Sequence, residues 1–186
     1  MTTIDTDALI AQFTERLASA GGQTTVAPDD DALVDLIVAR NPEGNTVVWI
    51  AQETADRAPD LLAQLTARGL EPRISSGPEA VRDQPLGLTI AHATIAETGS
   101  SLLVEPTVAG RSVTLMTETL IVLAERDHLV PGLTEAAPLL REVSAHGASY
   151  ATFVTGPSRT ADIERTLAVG VQGPGVFHLI FVDRIT

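Results

Sequence analysis

The sequence predicts an α/β protein in which a mixed, mostly parallel sheet is flanked by helices on both faces, giving three layers. Helical and strand patterns alternate along the 186 residues, and several strand patterns are continuous apolar runs, as in strands buried on both faces. Aromatic residues make up only 3%, so aliphatic side chains must fill most of the core. Single domains commonly hold ~100–200 residues. We therefore expect residues 1–186 to form one domain, with 1–45 as a more variable helical part.

Three helices and one strand are predicted in the N-terminal part of the chain. Residues 5–20 carry apolar side chains at helical spacing and end at a Gly-Gly pair. The next helix follows Pro28 and three aspartates, which suit a first turn, and ends near Arg40. Residues 46–51 form a compact β-rich run, and residues 58–69 form a third amphipathic helix that ends in Arg-Gly. This order indicates α/β structure.

The middle of the chain is predicted to be rich in strands. Residues 88–96 form one apolar strand, and residues 102–105 are its hairpin partner across a polar turn. Residues 119–124 are strongly apolar, which is typical of a buried strand. A helix over 133–145 follows a Pro-Gly pair, and the last strand covers 176–182.

The stretch between residues 152 and 183 has the pattern of a binding site. A short strand over 152–154 stops at Gly156-Pro157, and Ser158 or Thr160 is then placed to cap a helix that holds Ile163 and Leu167. Such a helix start leaves free backbone N–H groups beside the end of a strand. A glycine-rich loop over 170–175 leads into the final strand.

The charge of the chain bears on its partners. The net charge is −12, from 24 acidic and 12 basic residues, which disfavours nucleic acid or an anionic membrane surface as a partner. The N-terminus has no basic segment, and no apolar run approaches the ~18 residues of a membrane span. We therefore expect no membrane insertion and a cytoplasmic location.

Two residue types are missing from the sequence. Without Cys, these residues cannot form a disulfide, a thiolate nucleophile or a cysteine-held iron–sulfur cluster. Without Lys, they cannot form a Schiff base, hold pyridoxal phosphate covalently or build a Walker-type P-loop. No GxGxxG follows a strand and the four histidines show no metal-site spacing, so we expect no cofactor and no metal.

Three motifs carry a resemblance to a known family. They are AETGS at 96–100, GPSRTADIE at 156–164 and GVQGPG at 170–175. Together they resemble the LUD domain family, which includes lactate utilization protein C, and the similarity spans roughly residues 87–183. The resemblance implies a fold related to ribose-phosphate isomerase, glucosamine-phosphate deaminase and CoA transferases. It also implies a role in oxidation of lactate to pyruvate alongside iron–sulfur partner proteins.

Glu97 is the candidate catalytic residue. It follows an apolar strand and precedes Thr98, Gly99 and Ser100, so its carboxylate is expected at a sheet edge beside flexible backbone. A carboxylate there can act as base or nucleophile, and the CoA transferases use a glutamate before a glycine-containing turn in a similar outline. The structural alternative is a carboxylate that accepts hydrogen bonds from the N–H groups of the turn.

The predicted helix start after residue 155 is the second candidate wall of a site. Its members are the candidate substrate-binding residues Gly156, Pro157, Ser158, Thr160 and Asp162. A helix N-terminus favours an anion. Acidic residues in the same turn oppose a multiply charged phosphate, so a carboxylate or hydroxyl ligand is favoured. Ordinary helix capping is the alternative.

The glycine loop and one arginine complete the candidate substrate-binding residues. Gly170 and Gly173 permit close backbone approach to a ligand, although a tight turn explains them equally well. Arg111, placed on a loop after Ala109-Gly110, is suited to clamp a carboxylate with two hydrogen bonds. The alternative is an arginine that is solvated or paired at the surface.

Three functions remain open from the sequence. By resemblance, the chain is a non-redox component of a lactate-oxidising system, in which iron–sulfur subunits carry the electrons and this chain handles a small carboxylate or other small anion. The second function is a free-standing isomerase or acyl/CoA-transferase-like enzyme that uses Glu97. The third is an interaction module, which would expose a large apolar patch.

Overall fold

The computed structural model describes residues 5–145, 150–160, 168–169 and 173–186. The described residues contain seven α-helices: α1 Thr6–Ser19, α2 Asp30–Arg40, α3 Gln52–Arg57, α4 Pro59–Ala67, α5 Pro78–Val81, α6 Val108–Met116 and α7 Leu133–Ala145. They also contain twelve strands: β1 Gln23–Val26, β2 Val47–Ile50, β3 Glu71–Ile74, β4 Leu86–Ile90, β5 Ala93–Ile95, β6 Ser100–Val104, β7 Thr119–Glu125, β8 Leu129–Val130, β9 Ala151–Val154, β10 Arg159–Thr160, β11 Ala168–Val169 and β12 Val176–Val182.

Six strands form the main sheet in the order β1-β12-β7-β4-β2-β3, and every neighbouring pair in it is parallel. Both faces are covered. One core cluster joins the sheet to α2 and α4, and a second joins its other face to α1. On the second side, the rings of Phe13 and Phe181 meet edge to face with centroids 5.2 Å apart. The predicted α/β architecture, a mostly parallel sheet between helices, is confirmed.

Local sequence explains where the first helices begin. Asp5 precedes α1, and its side chain accepts hydrogen bonds from the backbone N–H groups of Asp7 and Ala8. Asp29 caps α2 in the same way, accepting from Ala32 N at 2.8 Å. These carboxylates satisfy N–H groups that no helical carbonyl can reach, so the predicted helix starts are confirmed.

A second, four-stranded sheet has the order β8-β5-β6-β9. The predicted single strand over 88–96 is wrong, because β4 ends at Ile90 in the main sheet and β5 begins at Ala93 in the second sheet. Between them the backbone changes partner: Ala91 N donates to Leu123 O, and His92 N donates to Leu102 O. The residues on both sides of the crossing are mostly apolar because both sheets are buried, so the sequence pattern does not mark where one strand ends. The predicted pairing with the following strand is observed between β5 and β6.

Two further expectations about elements differ from the structure. Arg111 lies within helix α6, not on a loop, because Thr107 caps that helix four residues earlier and accepts from Gly110 N at 2.9 Å. Residues 159–160 form strand β10, paired with β11, so no helix begins directly after Ser158. The rest of that predicted helix, including Ile163 and Leu167, lies outside the described residues.

Candidate functional site

The structure brings the Thr-Gly-Ser turn and the Gly-Pro loops together at the C-terminal end of α1. Gly99 lies against Leu17 of that helix, and Gly156 lies against Ala20, the residue that ends it. Gly173 contacts Ser158, whose N–H donates to Pro174 O at 2.8 Å. The motifs that were read as walls of one site are therefore neighbours in the fold.

Two of these glycines are required by close backbone packing. A Cβ atom added to Gly99 would lie 2.5 Å from the backbone nitrogen of Leu17, and the φ of Gly99 is +67°. A Cβ atom added to Gly156 would lie 3.1 Å from the carbonyl oxygen of Ala20, with φ at +81°. Any side chain would meet main-chain atoms in a left-handed conformation, so these positions favour glycine on structural grounds alone.

Hydroxyl groups line the same region. Ser100 Oγ and Thr155 Oγ1 are 2.6 Å apart and share a hydrogen bond between β6 and the residue after β9. The hydroxyl of Thr98 is buried and has no hydrogen-bond partner among the described residues. Pro157, which follows Gly156, is half-buried. The turn and the loop therefore present polar atoms to one another, next to the end of α1.

Glu97 is exposed and has a structural contact. Its Oε2 accepts a hydrogen bond from Leu133 N, the first residue of α7, at 3.2 Å. A Cβ atom added to Gly132 would lie 2.8 Å from that oxygen. A carboxylate at a helix start satisfies a free N–H group and interacts favourably with the helix dipole. Glu97 therefore accepts a hydrogen bond from the start of helix α7 and not from its own turn. A catalytic role for Glu97 stays a prediction.

Two candidate site residues, Asp162 and Gly170, lie outside the described residues. For Thr160 the structure describes the backbone, which belongs to β10. Gly156, Pro157 and Ser158 are the fully described residues of the second wall, and Gly173 is the described candidate of the glycine loop.

Arg111 stands apart from the other candidate residues. The turn that holds Glu97 to Gly99 precedes β6, whereas Arg111 follows β6 and lies on α6. The first and last of the five residues of that strand lie about 13 Å apart. The structure therefore does not bring Arg111 to Glu97, and the predicted single site divides into two regions.

The guanidinium of Arg111 is held by backbone oxygens and an aromatic ring. Its Nη1 donates to the carbonyl oxygens of Glu105 at 3.2 Å and Pro106 at 3.4 Å. Its Cζ lies 4.7 Å from the ring centroid of Tyr150, a cation–π distance. These contacts fix the planar group and leave its other nitrogens, Nε and Nη2, without a hydrogen-bond partner among the described residues.

Glu105 is the most strongly perturbed acid of the described residues. It is 5% exposed, and its Oε1 accepts a hydrogen bond from the hydroxyl of Thr114. The pKa of Glu105 is raised to about 7, chiefly by burial and also by the nearby charge of Glu53, while the hydrogen bond from Thr114 and the charge of Arg111 oppose the rise. Near neutral pH this carboxyl therefore changes charge within a buried site.

Glu53 is the second acid in this region. It follows β2, and its Oε1 lies 3.5 Å from the hydroxyl of Thr107, the residue that caps α6. Its Oε2 is buried and has no hydrogen-bond partner among the described residues. A Cβ atom added to Gly110 would lie 3.4 Å from that oxygen. The absent side chain of Gly110 lets α6 approach Glu53.

Arg111 also lines an open groove. It has a volume of about 240 Å³, and its lining is largely apolar. Its lining residues are Pro78, Val108, Arg111, Ser112, Leu115 and Met116. Val108 is 57% exposed and Leu115 is 43% exposed, so the apolar wall is open to solvent.

Sequence reasoning singled out Arg111 but missed its two acidic neighbours. Glu105 ends an apolar strand pattern, and Glu53 follows another, so both stand where side chains gather at the ends of strands. That shared position is the signal that could have identified them. Their proximity depends on how β2 and β6 are placed, which the sequence pattern does not give.

Two negative findings concern the described part of the chain. No group of three or more metal-ligating side chains is found within ranges 5–145, 150–160, 168–169 and 173–186. In the same ranges, no helix has both the length and the apolar character needed to cross a bilayer.

Comparisons with known proteins identify related sequences. A family model described as the LUD domain matches residues 10–182. Lactate utilization protein C from Bacillus subtilis is 30% identical over 97% of this chain and 71% of its own length. The protein of that name from Bacillus licheniformis is 31% identical over 91% of this chain and 67% of its own length. For the one from Anoxybacillus flavithermus the match is 36% identical and spans 57% of this chain and about half, 48%, of the relative.

A solved structure shares the fold. A DUF162 family protein from Deinococcus radiodurans superimposes with a TM-score of 0.69, covering 96% of this chain and 99% of that chain. The two sequences are 19% identical, so this likeness bears on the fold alone.

Proposed function

The chain belongs to the LUD domain family, and from this premise we propose that it is a component of a lactate utilization system. The proposal is carried by one observation: relatives named lactate utilization protein C align with 91% and 97% of this chain at about 30% identity. The matched parts cover 48% to 71% of the three relatives compared, so their activity, substrates and partners come to this chain as part of the proposal.

Within such a system we propose a non-redox role for this chain. Oxidation of a 2-hydroxy acid to a 2-oxo acid releases two electrons and two protons, which a redox group must take up. These 186 residues contain no cysteine to ligate an iron–sulfur cluster. The electrons would therefore pass to iron–sulfur partner proteins, while this chain binds a small carboxylate or supports assembly of the complex.

Growth on lactate tests the role in lactate utilization. We expect a deletion strain of the source organism to grow normally on glucose and poorly on L-lactate, and a plasmid copy of the gene to restore growth. Normal growth on lactate, in a strain with no second member of the family, would reject the proposal.

A pull-down tests the proposed partners separately. We expect the tagged protein, purified from lactate-grown cells, to recover cysteine-rich proteins, with iron in the eluate. An iron-free monomer or homodimer from the same cells would reject the iron–sulfur partners. The growth phenotype would still decide the broader role in lactate utilization.

The alternative function is a free-standing isomerase or acyl/CoA-transferase-like enzyme with Glu97 as base or nucleophile. Exposure of the Glu97 side chain beside the Thr-Gly-Ser turn favours access to a substrate. Its hydrogen bond to Leu133 N favours a structural role instead. Glu97→Gln retains an oxygen acceptor for that bond, so it tests the chemistry with the helix cap intact. Unchanged turnover in this variant would remove the alternative.

A further inference from the structure

We propose that the groove beside Arg111 binds a small carboxylate with a short apolar chain, and that protonation of Glu105 controls the affinity of this site. The groove and its charged groups come from the structure. The choice of L-lactate as the first probe rests on the proposed function.

Arg111 is positioned to receive a carboxylate. Its Nη1 is already bonded to the carbonyl oxygens of Glu105 and Pro106, and the ring of Tyr150 packs on the guanidinium. The Nε and Nη2 donors form the opposite edge of the planar group and have no hydrogen-bond partner in the described part of the chain. Two parallel N–H donors match the two oxygens of a carboxylate. The fixed guanidinium loses little conformational freedom on binding.

The residues that line the groove indicate the chemistry of the ligand beyond its carboxylate. Four of the six lining residues are apolar: Pro78, Val108, Leu115 and Met116. A volume of about 240 Å³ accommodates a small organic acid, and the exposed wall gains from contact with a short alkyl group. One cation on a chain of net charge −12 does not balance a phosphate dianion. The groove therefore favours a monocarboxylate.

The affinity of this site for a carboxylate depends on whether Glu105 is protonated. Its backbone oxygen accepts from Arg111, and its buried side chain is close enough for its charge to interact with that guanidinium. When Glu105 is ionised, it offsets the charge of Arg111 and repels an incoming carboxylate. When it is neutral, the charge of Arg111 is available to the ligand. Binding should therefore be tighter below about pH 7 and weaker above it, with uptake of a proton.

Three other charged or titratable groups lie around Glu105: Glu53, Arg111 and Tyr150. Glu53 faces it from α3 and raises its pKa; Arg111 faces it from α6 and lowers it. Tyr150 precedes β9, and its carbonyl oxygen accepts from Glu105 N at 2.9 Å. Glu53 adds to the repulsion of an anion, so it acts in the same direction as ionised Glu105.

Nitrogen-15 NMR of the arginine side chains tests the site on the full chain. The protein has 12 arginines and no lysine, so its Nε–H signals form a small set, and Arg111→Lys identifies the signal of Arg111. We expect saturable shifts of that signal with L-lactate and with propionate at pH 6, and none with inorganic phosphate. Calorimetric titration with L-lactate at pH 6 should detect no binding to Arg111→Lys, in which the NMR reporter itself is absent, whereas Arg82→Ala, at an exposed position, should bind as the wild type does.

The pH dependence tests the role of Glu105. We expect the Kd for L-lactate to rise at least about five-fold between pH 6 and pH 8, the lower end of coupling between linked sites. Glu105→Gln should bind at pH 8 as the wild type binds at pH 6. A rise that persists in Glu105→Gln would overturn the coupling, and equal binding of phosphate would overturn the ligand class. No saturable shift with either carboxylate in a folded protein would overturn the site.

These outcomes are independent of the test of the proposed function. Carboxylate binding with normal growth of the deletion strain on lactate would support the site and reject the lactate role. Loss of growth on lactate without carboxylate binding would support the lactate role and reject the site.

Discussion

Replacing Glu105 with glutamine should make the protein more stable at alkaline pH. The pKa of Glu105 rises from its usual 4.5 to about 7 on folding, chiefly because the side chain is buried. The folded state thus binds the proton more tightly than the unfolded state does. Stability is highest while Glu105 stays protonated in both states, and it falls as pH rises through 4.5 towards 7.

The magnitude follows from the size of this shift. One pKa unit corresponds to about 1.4 kcal/mol, so ionised Glu105 lowers the free energy of unfolding by up to about 3 kcal/mol. Between pH 5 and pH 8 the loss is about 2.5 kcal/mol, because some of it has already occurred at pH 5. Glutamine is neutral throughout this range, and its side-chain oxygen can still accept from Thr114.

Urea unfolding of both proteins between pH 5 and pH 8 measures the effect. The difference in unfolding free energy, variant minus wild type, should increase by about 2.5 kcal/mol over this range. Other titrating groups are common to both proteins and cancel in the difference. Glu43→Gln, at an exposed loop position, controls for the loss of one charge from the chain. A difference for Glu105→Gln that does not change with pH would refute the reasoning.

Three other substitutions test the packing. Gly99→Ala should destabilise the fold by more than Gly69→Ala, since both have positive φ but only Gly99 faces a backbone atom, Leu17 N, within 4 Å; equal losses in urea unfolding would argue against that contact. Asp29→Ala should cost about 1 kcal/mol through loss of the α2 cap, with Asn expected to restore most of it. Phe13→Ala should cost about 3–5 kcal/mol, because this fully buried ring packs on Phe181, and a smaller loss in thermal unfolding would show that the core relaxes into the space.

Much of the fold could be predicted because its signals are local. The helix starts at Asp5 and Asp29 depend on side chains within three residues of the N–H groups that they cap. Strand β12 and helix α7 were delimited correctly, since an apolar run and a Pro-Gly pair mark their ends. Strand β1 carries a polar Gln-Thr-Thr start and was missed. It is a strand because it pairs with β12, a contact far away in sequence.

The candidate site could be predicted only in part. The sequence identified the Thr-Gly-Ser turn and the Gly-Pro loops as special, and the structure places them together against α1. The sequence did not indicate that Gly99 and Gly156 let their loops approach the backbone of that helix closely. The single site with Arg111 was not formed, because β6 separates the turn from α6.

The sequence by itself determined the α/β class, the family and the chemistry that its residue types permit. These properties depend on composition, on local periodicity and on motifs read along one chain. Only the tertiary structure decided that Glu53, Glu105 and Arg111 are neighbours and that Glu105 is buried. A carboxyl group acquires a pKa near 7 only when distant segments exclude water from it, so the perturbation is a property of the folded chain.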